Sequence, residues 1–118
     1  DARQLLQNGT RYYVEASNMA ATAQALRLLR LSPQIFTAGS KAASAGGVVV
    51  SALEIAQNCI RCSWSQQEVD QRLRTIIDSI YDASAEAAAQ FGLGCDLIAG
   101  NDIAAFRKVS ESMLAQGL

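Results

Sequence analysis

The first 37 residues alternate between helical and extended patterns of apolar and polar positions. In order, this pattern predicts the end of a helix over 1–7, a strand over Arg11–Val14, a helix over about Ala20–Leu31 and a strand over Ile35–Thr37. Asn8 and Gly9 form the first turn, since both tolerate a positive φ, and Ser17 or Asn18 can cap the second helix. Helix, strand, helix, strand is the order of a parallel α/β unit, and two strands alone leave unpaired edges that imply further neighbours.

From Lys41 onward the pattern is helical. Ser40 is a suitable cap for a helix that runs to Cys62. Two apolar faces follow its length, one of them made by Val48, Ala52, Ile55 and Cys59, the other by Val49, Leu53, Ala56 and Ile60. A helix that is apolar on two faces is buried on both, so we expect this one to lie inside the protein.

The next helix has the clearest start signal in the chain. Ser65 and Glu68 have the spacing of a capping box, and Trp64 and Val69 occupy the positions of a hydrophobic staple. This pattern predicts a long surface helix that stops at Gly92 or Gly94. A last helix is predicted to begin after the cap Asp102 and to end at Gly117. Its inward positions are Ile103, Phe106, Val109 and Met113.

Composition changes this picture in one respect, because the chain is apolar but short of bulky side chains. Half of the 118 residues are apolar, yet 21 are Ala and only seven are aromatic. Alanine buries little area, so these residues make a poor core of their own. The chain also begins with Asp1 rather than Met. We therefore expect a piece of a larger protein that packs against its remainder.

Charge and residue type exclude several classes of function. The net charge of −1 lacks the basic excess of a nucleic-acid footprint. The chain contains no His, the commonest metal ligand and the commonest general base at neutral pH. No stretch approaches the ~20 apolar residues of a membrane-spanning helix, and the amino terminus lacks a signal-peptide core. Three cysteines without such a signal suggest free thiols in a reducing compartment.

Two short motifs favour structural roles. Cys59 and Cys62 form a lone CxxC pair, but only Cys95 remains as a further soft ligand, and the pair lies at the end rather than the start of its helix. We interpret these thiols as structural and buried, with a metal or redox role as the alternative. Gly92-Leu93-Gly94 lacks the preceding strand and third glycine of a dinucleotide loop, which favours a helix stop.

Two other segments are compatible either with a ligand site or with a structural role. Gly46 and Gly47, near the start of a helix, cost about 1 kcal/mol each relative to Ala. Either close packing of another backbone or a ligand against the helix start would offset that cost, and Ser44 and Ser51 place hydroxyls nearby. The segment 15–18 follows the first strand, where α/β sheets bind ligands, although Ser17 and Asn18 could simply cap a helix.

Longer motifs resemble one enzyme family. The segment from Val14 to Met19, VEASNM, looks like the VAEGANMPTT segment of glutamate dehydrogenases. Residues 41–58 are similar to their KAANAGGVATSGLEMAQN, and Trp64 with the segment 68–70 resembles their W…EEVD. Residues 100–117 resemble GANIAGFxKVADAMLAQG, so the likeness covers almost the whole chain in order. These motifs are most similar to those of the hexameric, mostly NADP-dependent branch of the family.

This resemblance implies an α/β fold and a place in a larger subunit. It implies the C-terminal part of a Rossmann-like cofactor domain, mostly helical with two short parallel strands. Residues 1–60 would complete the NAD(P)-binding domain, and residues 61–118 would form hinge-crossing and C-terminal helices. The family reversibly deaminates L-glutamate to 2-oxoglutarate and ammonium with NADP or NAD. A homohexamer in the cytoplasm, or in an organelle, with no nucleic acid or membrane partner, is the implied assembly.

The resemblance also assigns site residues. Asn18, with Ala16 and Ser17 beside it, would lie at the nicotinamide ribose, and Ser44 replaces the family's carboxamide-binding Asn. Val48 and Ser51 would line the substrate pocket, with the Ser51 hydroxyl donating to the distal carboxylate. Ser44 has a shorter reach than Asn and one donor where an amide has two. Ala16 adds a methyl group where the family has glycine. Both departures from the family pattern are expected to weaken the affinity for the cofactor.

No catalytic residue and no metal ligand is expected in this chain. The catalytic Lys and Asp of the family lie upstream of the matching region, and Lys41 matches a motif lysine that is not catalytic. The resemblance thus predicts that the chain alone is inactive and needs the missing N-terminal part of its subunit. The alternatives are a non-catalytic helical interaction module, suggested by the alanine-rich helices, and a small CxxC redox protein.

Overall fold

Two parallel strands and the helix between them form the amino-terminal part of the fold. A computed structural model describes all 118 residues. Its elements in this part are helix α1 (Ala2–Gln7), strand β1 (Tyr12–Val14), helix α2 (Ala23–Arg30) and strand β2 (Phe36–Ala38). The strands pair in parallel, with Tyr12 opposite Phe36 and Val14 opposite Ala38. The predicted helix–strand order and the two short parallel strands are confirmed.

Four helices make up the rest of the chain. They are α3 (Ser40–Ala43), α4 (Ala45–Ile60), α5 (Gln66–Gln90) and α6 (Leu97–Ala115). The predicted capping box at the start of α5 is confirmed: the Ser65 hydroxyl accepts from the Glu68 amide, and the Glu68 carboxylate accepts from the Ser65 amide at 2.7 Å. None of these helices has both the length and the apolar composition to cross a membrane.

Three predicted helix starts are wrong. α2 begins at Ala23, not Ala20, because the Thr22 hydroxyl is the cap and accepts from the Ala25 amide. The single helix expected from Lys41 to Cys62 is divided at Ser44 into α3 and α4, and Gly39 rather than Ser40 holds the cap position. The predicted cap Asp102 lies inside α6.

The correct cap of α6 is Asp96. Its carboxylate accepts from the Ala99 amide at 3.1 Å, so α6 begins at Leu97. Asp96 also forms a parallel bridge with Thr37, which gives β2 a neighbour on the edge away from β1. The Thr37 amide donates to the Cys95 carbonyl at 3.1 Å, and Thr37 is fully buried. The segment before α6 therefore extends the small sheet.

The core lies where α5 and α6 cross beneath the sheet. Only nine of the 118 residues are buried, which is few for a chain that is half apolar. Gly100 of α6 lies so close to α5 that a Cβ atom there would be 2.1 Å from the Ser84 carbonyl oxygen. The other buried positions are Glu15, Leu29, Ile35, Thr37, Ser84, Ala87, Ala88 and Leu97. Small residues at this crossing let the two backbones approach closely.

Two expected buried faces are exposed. α4 has no buried residue, and Val48, Ile55 and Ile60 are mostly exposed, so the prediction that both faces of this helix are covered is wrong within this chain. Phe106 and Val109 of α6 are exposed as well, against the expected inward stripe. The buried residues of α6 lie in its first turn instead, at Leu97 and at Gly100, which packs against α5. The apolar surface that remains has no partner within the 118 residues.

Candidate functional site

The candidate site begins at the edge where both parallel strands end. The chain continues from β1 into Glu15 and from β2 into Gly39 and Ser40, and the Glu15 amide still donates to the Ala38 carbonyl at 3.0 Å. The Glu15 side chain is buried and accepts a hydrogen bond from the Tyr13 hydroxyl at 3.1 Å. Burial, and then the Glu15 carboxylate, raises the pKa of Tyr13 above its ordinary value. This edge therefore holds a buried acidic group.

A small cleft of about 160 Å³ opens at the same edge. Its lining residues are Glu15, Gly39, Ser40, Lys41, Ile98, Asn101 and Asp102. The set contains one ammonium group, an amide, a hydroxyl and two carboxylates, and Lys41 forms no ion pair with either carboxylate. A cleft with both donors and acceptors can hold a polar ligand of a few atoms. Sequence reasoning used Asp102 only as a helix cap and did not find this grouping; an acidic residue directly after a strand was the available signal.

The loop after β1 carries the first group of predicted cofactor residues. Ala16, Ser17 and Asn18 are all exposed, and the next residue, Met19, adopts a left-handed backbone with a φ of 51°. Since Thr22 caps α2, the interpretation that Ser17 or Asn18 caps this helix is wrong. Their side chains form no hydrogen bond within the chain and face solvent beside the strand ends.

The second group of predicted site residues lies on α4. Ser44, Val48 and Ser51 follow one another at spacings of four and three residues, which puts them on one face of the helix. Val48 is 74% exposed, and Ser44 and Ser51 are exposed. The Ser44 hydroxyl donates to the Ser40 carbonyl, so it belongs to the junction of α3 and α4. No hydrogen bond joins this face to the loop at 16–18.

The paired glycines of α4 border this exposed face. A Cβ atom at Gly46 or Gly47 would meet no heavy atom within 4 Å. The interpretation that these glycines serve close packing is therefore wrong within the chain, and the close approach occurs at Gly100. The start of α4 also has no side-chain cap. An uncovered helix start beside two hydroxyl groups is open to a ligand or to another part of a larger protein.

The structure also shows where the glycine and cysteine motifs lie. Gly92 and Gly94 have positive φ angles in the connection from α5 to α6, so the segment is a helix stop and not a dinucleotide loop. Cys59, Cys62 and Cys95 are free and exposed, which corrects the expectation that the first two are buried. No group of three or more metal-ligating side chains comes together.

One polar cluster that supports the site was missed by sequence reasoning. The Asp96 carboxylate accepts from the Arg30 Nε at 2.8 Å and from the Thr37 hydroxyl at 3.4 Å, in addition to its bond from Ala99. It thus ties α2, β2 and α6 together just behind the strand ends. An acidic residue before the apolar run Leu97–Ala99 was the available signal, whereas the predicted cap was Asp102.

The comparisons with known proteins agree with this architecture. The NAD-specific glutamate dehydrogenase of Clostridium symbiosum is 44% identical over 117 residues, and the match covers 99% of this chain and 26% of that protein. The NADP-specific glutamate dehydrogenase of Psychrobacter sp. is 39% identical over 122 residues, covering 100% of this chain and 27% of that protein. A solved glutamate dehydrogenase superimposes with a TM-score of 0.93 at 44% identity, covering 99% of this chain and 26% of the other.

The chain thus spans about a quarter of the length of these relatives. The predicted resemblance is confirmed over nearly every residue. The sequence profile that matches residues 1–117 is described as Glutamate/Leucine/Phenylalanine/Valine dehydrogenase, and the chain belongs to that family.

Proposed function

We propose that this chain is part of an NAD(P)-dependent glutamate dehydrogenase, which reversibly converts L-glutamate to 2-oxoglutarate and ammonium. The observation that carries the proposal is the match to glutamate dehydrogenases of both cofactor specificities at 39–44% identity along the whole chain. The family as a whole also acts on leucine, phenylalanine and valine according to its description. The Ser51 hydroxyl favours an acidic substrate, since it can donate to a carboxylate whereas an apolar side chain would leave it unpaired.

Within the subunit, the chain supplies the C-terminal part of a Rossmann-like cofactor domain. Two parallel strands joined through α2 support this placement, and α4 ends at Ile60, where we place the boundary between residues 1–60 and residues 61–118. The apolar faces of α4 and α6 that lack partners are contact surfaces for the rest of the subunit. The catalytic groups come from that missing part, and the assembled enzyme is a homohexamer in the cytoplasm or an organelle.

The cofactor-binding side chains are Asn18 and Ser44, with Ala16 and Ser17 next to Asn18. These residues fit a dinucleotide, because the loop side chains are unpaired and the surface beside Gly46 is open. When bound, NAD or NADP accepts the hydride that leaves the substrate. The role of this chain is to orient the nicotinamide end, and Ser44 contributes one hydroxyl where an asparagine would contribute an amide.

The substrate contacts lie one and two helical turns further along α4. Val48 offers apolar surface to the methylene groups of the substrate, and Ser51 donates its hydroxyl proton to the distal carboxylate. Both act by positioning, which restricts the bound substrate to the orientation needed for hydride transfer. Neither residue touches another part of the chain that would hold it away from a ligand.

A chimeric enzyme tests the proposal. Residues 1–117 replace the matching stretch of the Clostridium symbiosum enzyme, and formation of reduced cofactor is measured with glutamate and, separately, with leucine, phenylalanine and valine. We expect glutamate to be the preferred substrate of the chimera and the isolated chain to be inactive. Ser51→Ala should lower kcat/KM for glutamate about ten- to a hundredfold, the equivalent of one hydrogen bond to a charged group, whereas Ser51→Thr keeps the hydroxyl and loses less.

Two results would contradict this reasoning. A soluble chimera that oxidises an apolar amino acid in preference to glutamate would remove the assigned substrate. Activity of the isolated 118-residue chain would show that the catalytic groups are not supplied from outside it.

A further inference from the structure

The loop that carries the proposed cofactor side chains is held within this chain at its two ends. Residues 16–21, named the cofactor loop, lie between β1 and α2. No backbone hydrogen bond joins them to the rest of the chain, and none of their side chains forms a hydrogen bond. At the far end Thr22 caps α2, and at the near end the Glu15 amide makes the last bond to β2. The direction in which the loop leaves the sheet therefore depends on Glu15.

Two contacts hold Glu15 in place. Its amide donates to the Ala38 carbonyl at 3.0 Å, and its carboxylate accepts from the Tyr13 hydroxyl at 3.1 Å. The carboxylate forms no salt bridge, so the Tyr13 hydroxyl is its single hydrogen-bond donor within the chain. Tyr13 and Glu15 are two residues apart in extended backbone, which puts both side chains on one face of the sheet. The hydroxyl thus ties the carboxylate back along the strand.

Packing alone does not account for a carboxylate at this position. Glu15 is only 8% exposed, and atoms from the rest of a larger subunit can only add to that burial. The contact with Tyr13 therefore does not depend on which outer faces of the chain are covered. Burial of a charged group costs solvation free energy that a neutral side chain of similar size would not lose, and one hydroxyl donor offsets only part of that cost.

We propose that Glu15 is a positioning residue that, with Tyr13, fixes the start of the cofactor loop and so prepares Asn18 for the nicotinamide ribose. The inference rests on the proposed function and adds a residue that does not itself touch the cofactor. Without the carboxylate, the loop samples more conformations in the free enzyme. Binding must then order the loop, which weakens the affinity for the cofactor. The amino-acid contacts lie on α4, so their affinity should not change.

Cofactor binding to the complete subunit tests the inference. NADH and NADPH are titrated without an amino acid, and binding is followed by the fluorescence of the reduced nicotinamide. Glu15→Ala should raise the Kd about three- to tenfold, the cost of ordering one or two side chains on binding. Tyr13→Phe should act in the same direction but less, and it changes only the hydroxyl of a half-buried side chain. Glu15→Gln should bind nearly as the wild type, because its amide oxygen can still accept from Tyr13.

A matched control separates positioning from a general loss of stability. Glu68 also accepts from a hydroxyl, that of Ser65 at 2.8 Å, but it lies at the start of α5. Glu68→Ala should destabilise the protein and leave the Kd for the dinucleotide unchanged. Initial rates give a second measure: in Glu15→Ala the KM for the cofactor should rise, while the KM for the amino acid stays at the wild-type value.

The possible failures are distinguishable. The inference is overturned if Glu15→Ala and Tyr13→Phe bind the dinucleotide as the wild type does, or if Glu68→Ala weakens binding to the same extent. It is also overturned if both KM values of Glu15→Ala rise in equal proportion. A wild-type subunit that binds neither NADH nor NADPH would remove the proposed function and this inference with it. A preference for an amino acid other than glutamate removes only the proposed substrate, because the binding assay contains none.

Discussion

Replacement of Gly100 by Ala should force apart the two longest helices. Gly100 lies in α6 where this helix crosses α5, and an added Cβ atom would stand 2.1 Å from the Ser84 carbonyl oxygen and 3.1 Å from Ala88 Cβ. Carbon and carbonyl oxygen atoms normally approach no closer than about 3.3 Å. The helices must therefore separate by about 1 Å, since the nearest obstacle is backbone and has no rotamer to change.

The expected loss of stability follows from two opposing contributions. Overpacking of a tight contact costs about 1–3 kcal/mol, and alanine gains back up to about 1 kcal/mol relative to glycine in a helix. Gly100→Ala should therefore reduce the free energy of unfolding by about 1–2 kcal/mol. Gly47→Ala is a matched control, because no heavy atom lies within 4 Å of its Cβ position. It should raise the free energy of unfolding by about 0.5–1 kcal/mol.

Denaturant unfolding followed by far-ultraviolet circular dichroism measures both variants against the wild type. The same chemical change is expected to act with opposite signs at the two positions. If Gly100→Ala is neutral or stabilising, like its control, the close crossing of α5 and α6 at Gly100 is refuted.

Three further predictions concern polar groups of the fold. Asp96→Ala should destabilise the protein by about 1–3 kcal/mol, because it removes a helix cap and leaves Arg30 unpaired, while Asp96→Asn should lose less; unfolding curves compare the two. Hydrogen bonds from Ser65 lower the pKa of the Glu68 carboxyl. The ionised Glu68 therefore stabilises the protein at a pH above the ordinary carboxyl pKa, and this stabilisation is lost as the pH falls through the lowered pKa. Glu68→Gln should remove this part of the loss of stability in acid, measured by unfolding at several pH values. Burial and the Glu15 carboxylate raise the pKa of Tyr13, and Glu15→Gln should move it part of the way back; ultraviolet titration of the two proteins compares them. Unchanged tyrosine titration in Glu15→Gln would contradict the contact between the two side chains.

Short-range signals could be predicted well from the sequence. The capping box of Ser65 and Glu68 depends on residues three apart, and it forms as expected. The start of α2 could not be predicted in this way, because Ser17, Asn18 and Thr22 are all good caps. The choice depends on the sheet, since the Glu15 amide still pairs with β2 and Met19 turns left-handed before the chain can enter a helix.

Long-range contacts account for the other errors. The role of Gly100 could not be deduced from the sequence, because this glycine lets α6 approach α5 and only the crossing of the two helices reveals it. For the candidate site, helical periodicity alone put Ser44, Val48 and Ser51 on one face. What covers that face could not be deduced from the sequence, because the covering group is not part of this chain. No atom of the chain lies within 4 Å of a Cβ at the adjacent Gly46 or Gly47.

The bridge between Thr37 and Asp96 also has a consequence for the order of folding. It joins residues 59 positions apart, whereas the connection between α5 and α6 spans only the six residues 91–96. Closing a loop about ten times longer costs about 2 kcal/mol more chain entropy, so we expect the α5–α6 pair to form before it docks on the sheet. During synthesis on the ribosome, the second edge of β2 cannot be covered until residue 96 has been added. Until then, the Thr37 amide lacks the Cys95 carbonyl that it donates to in the folded chain.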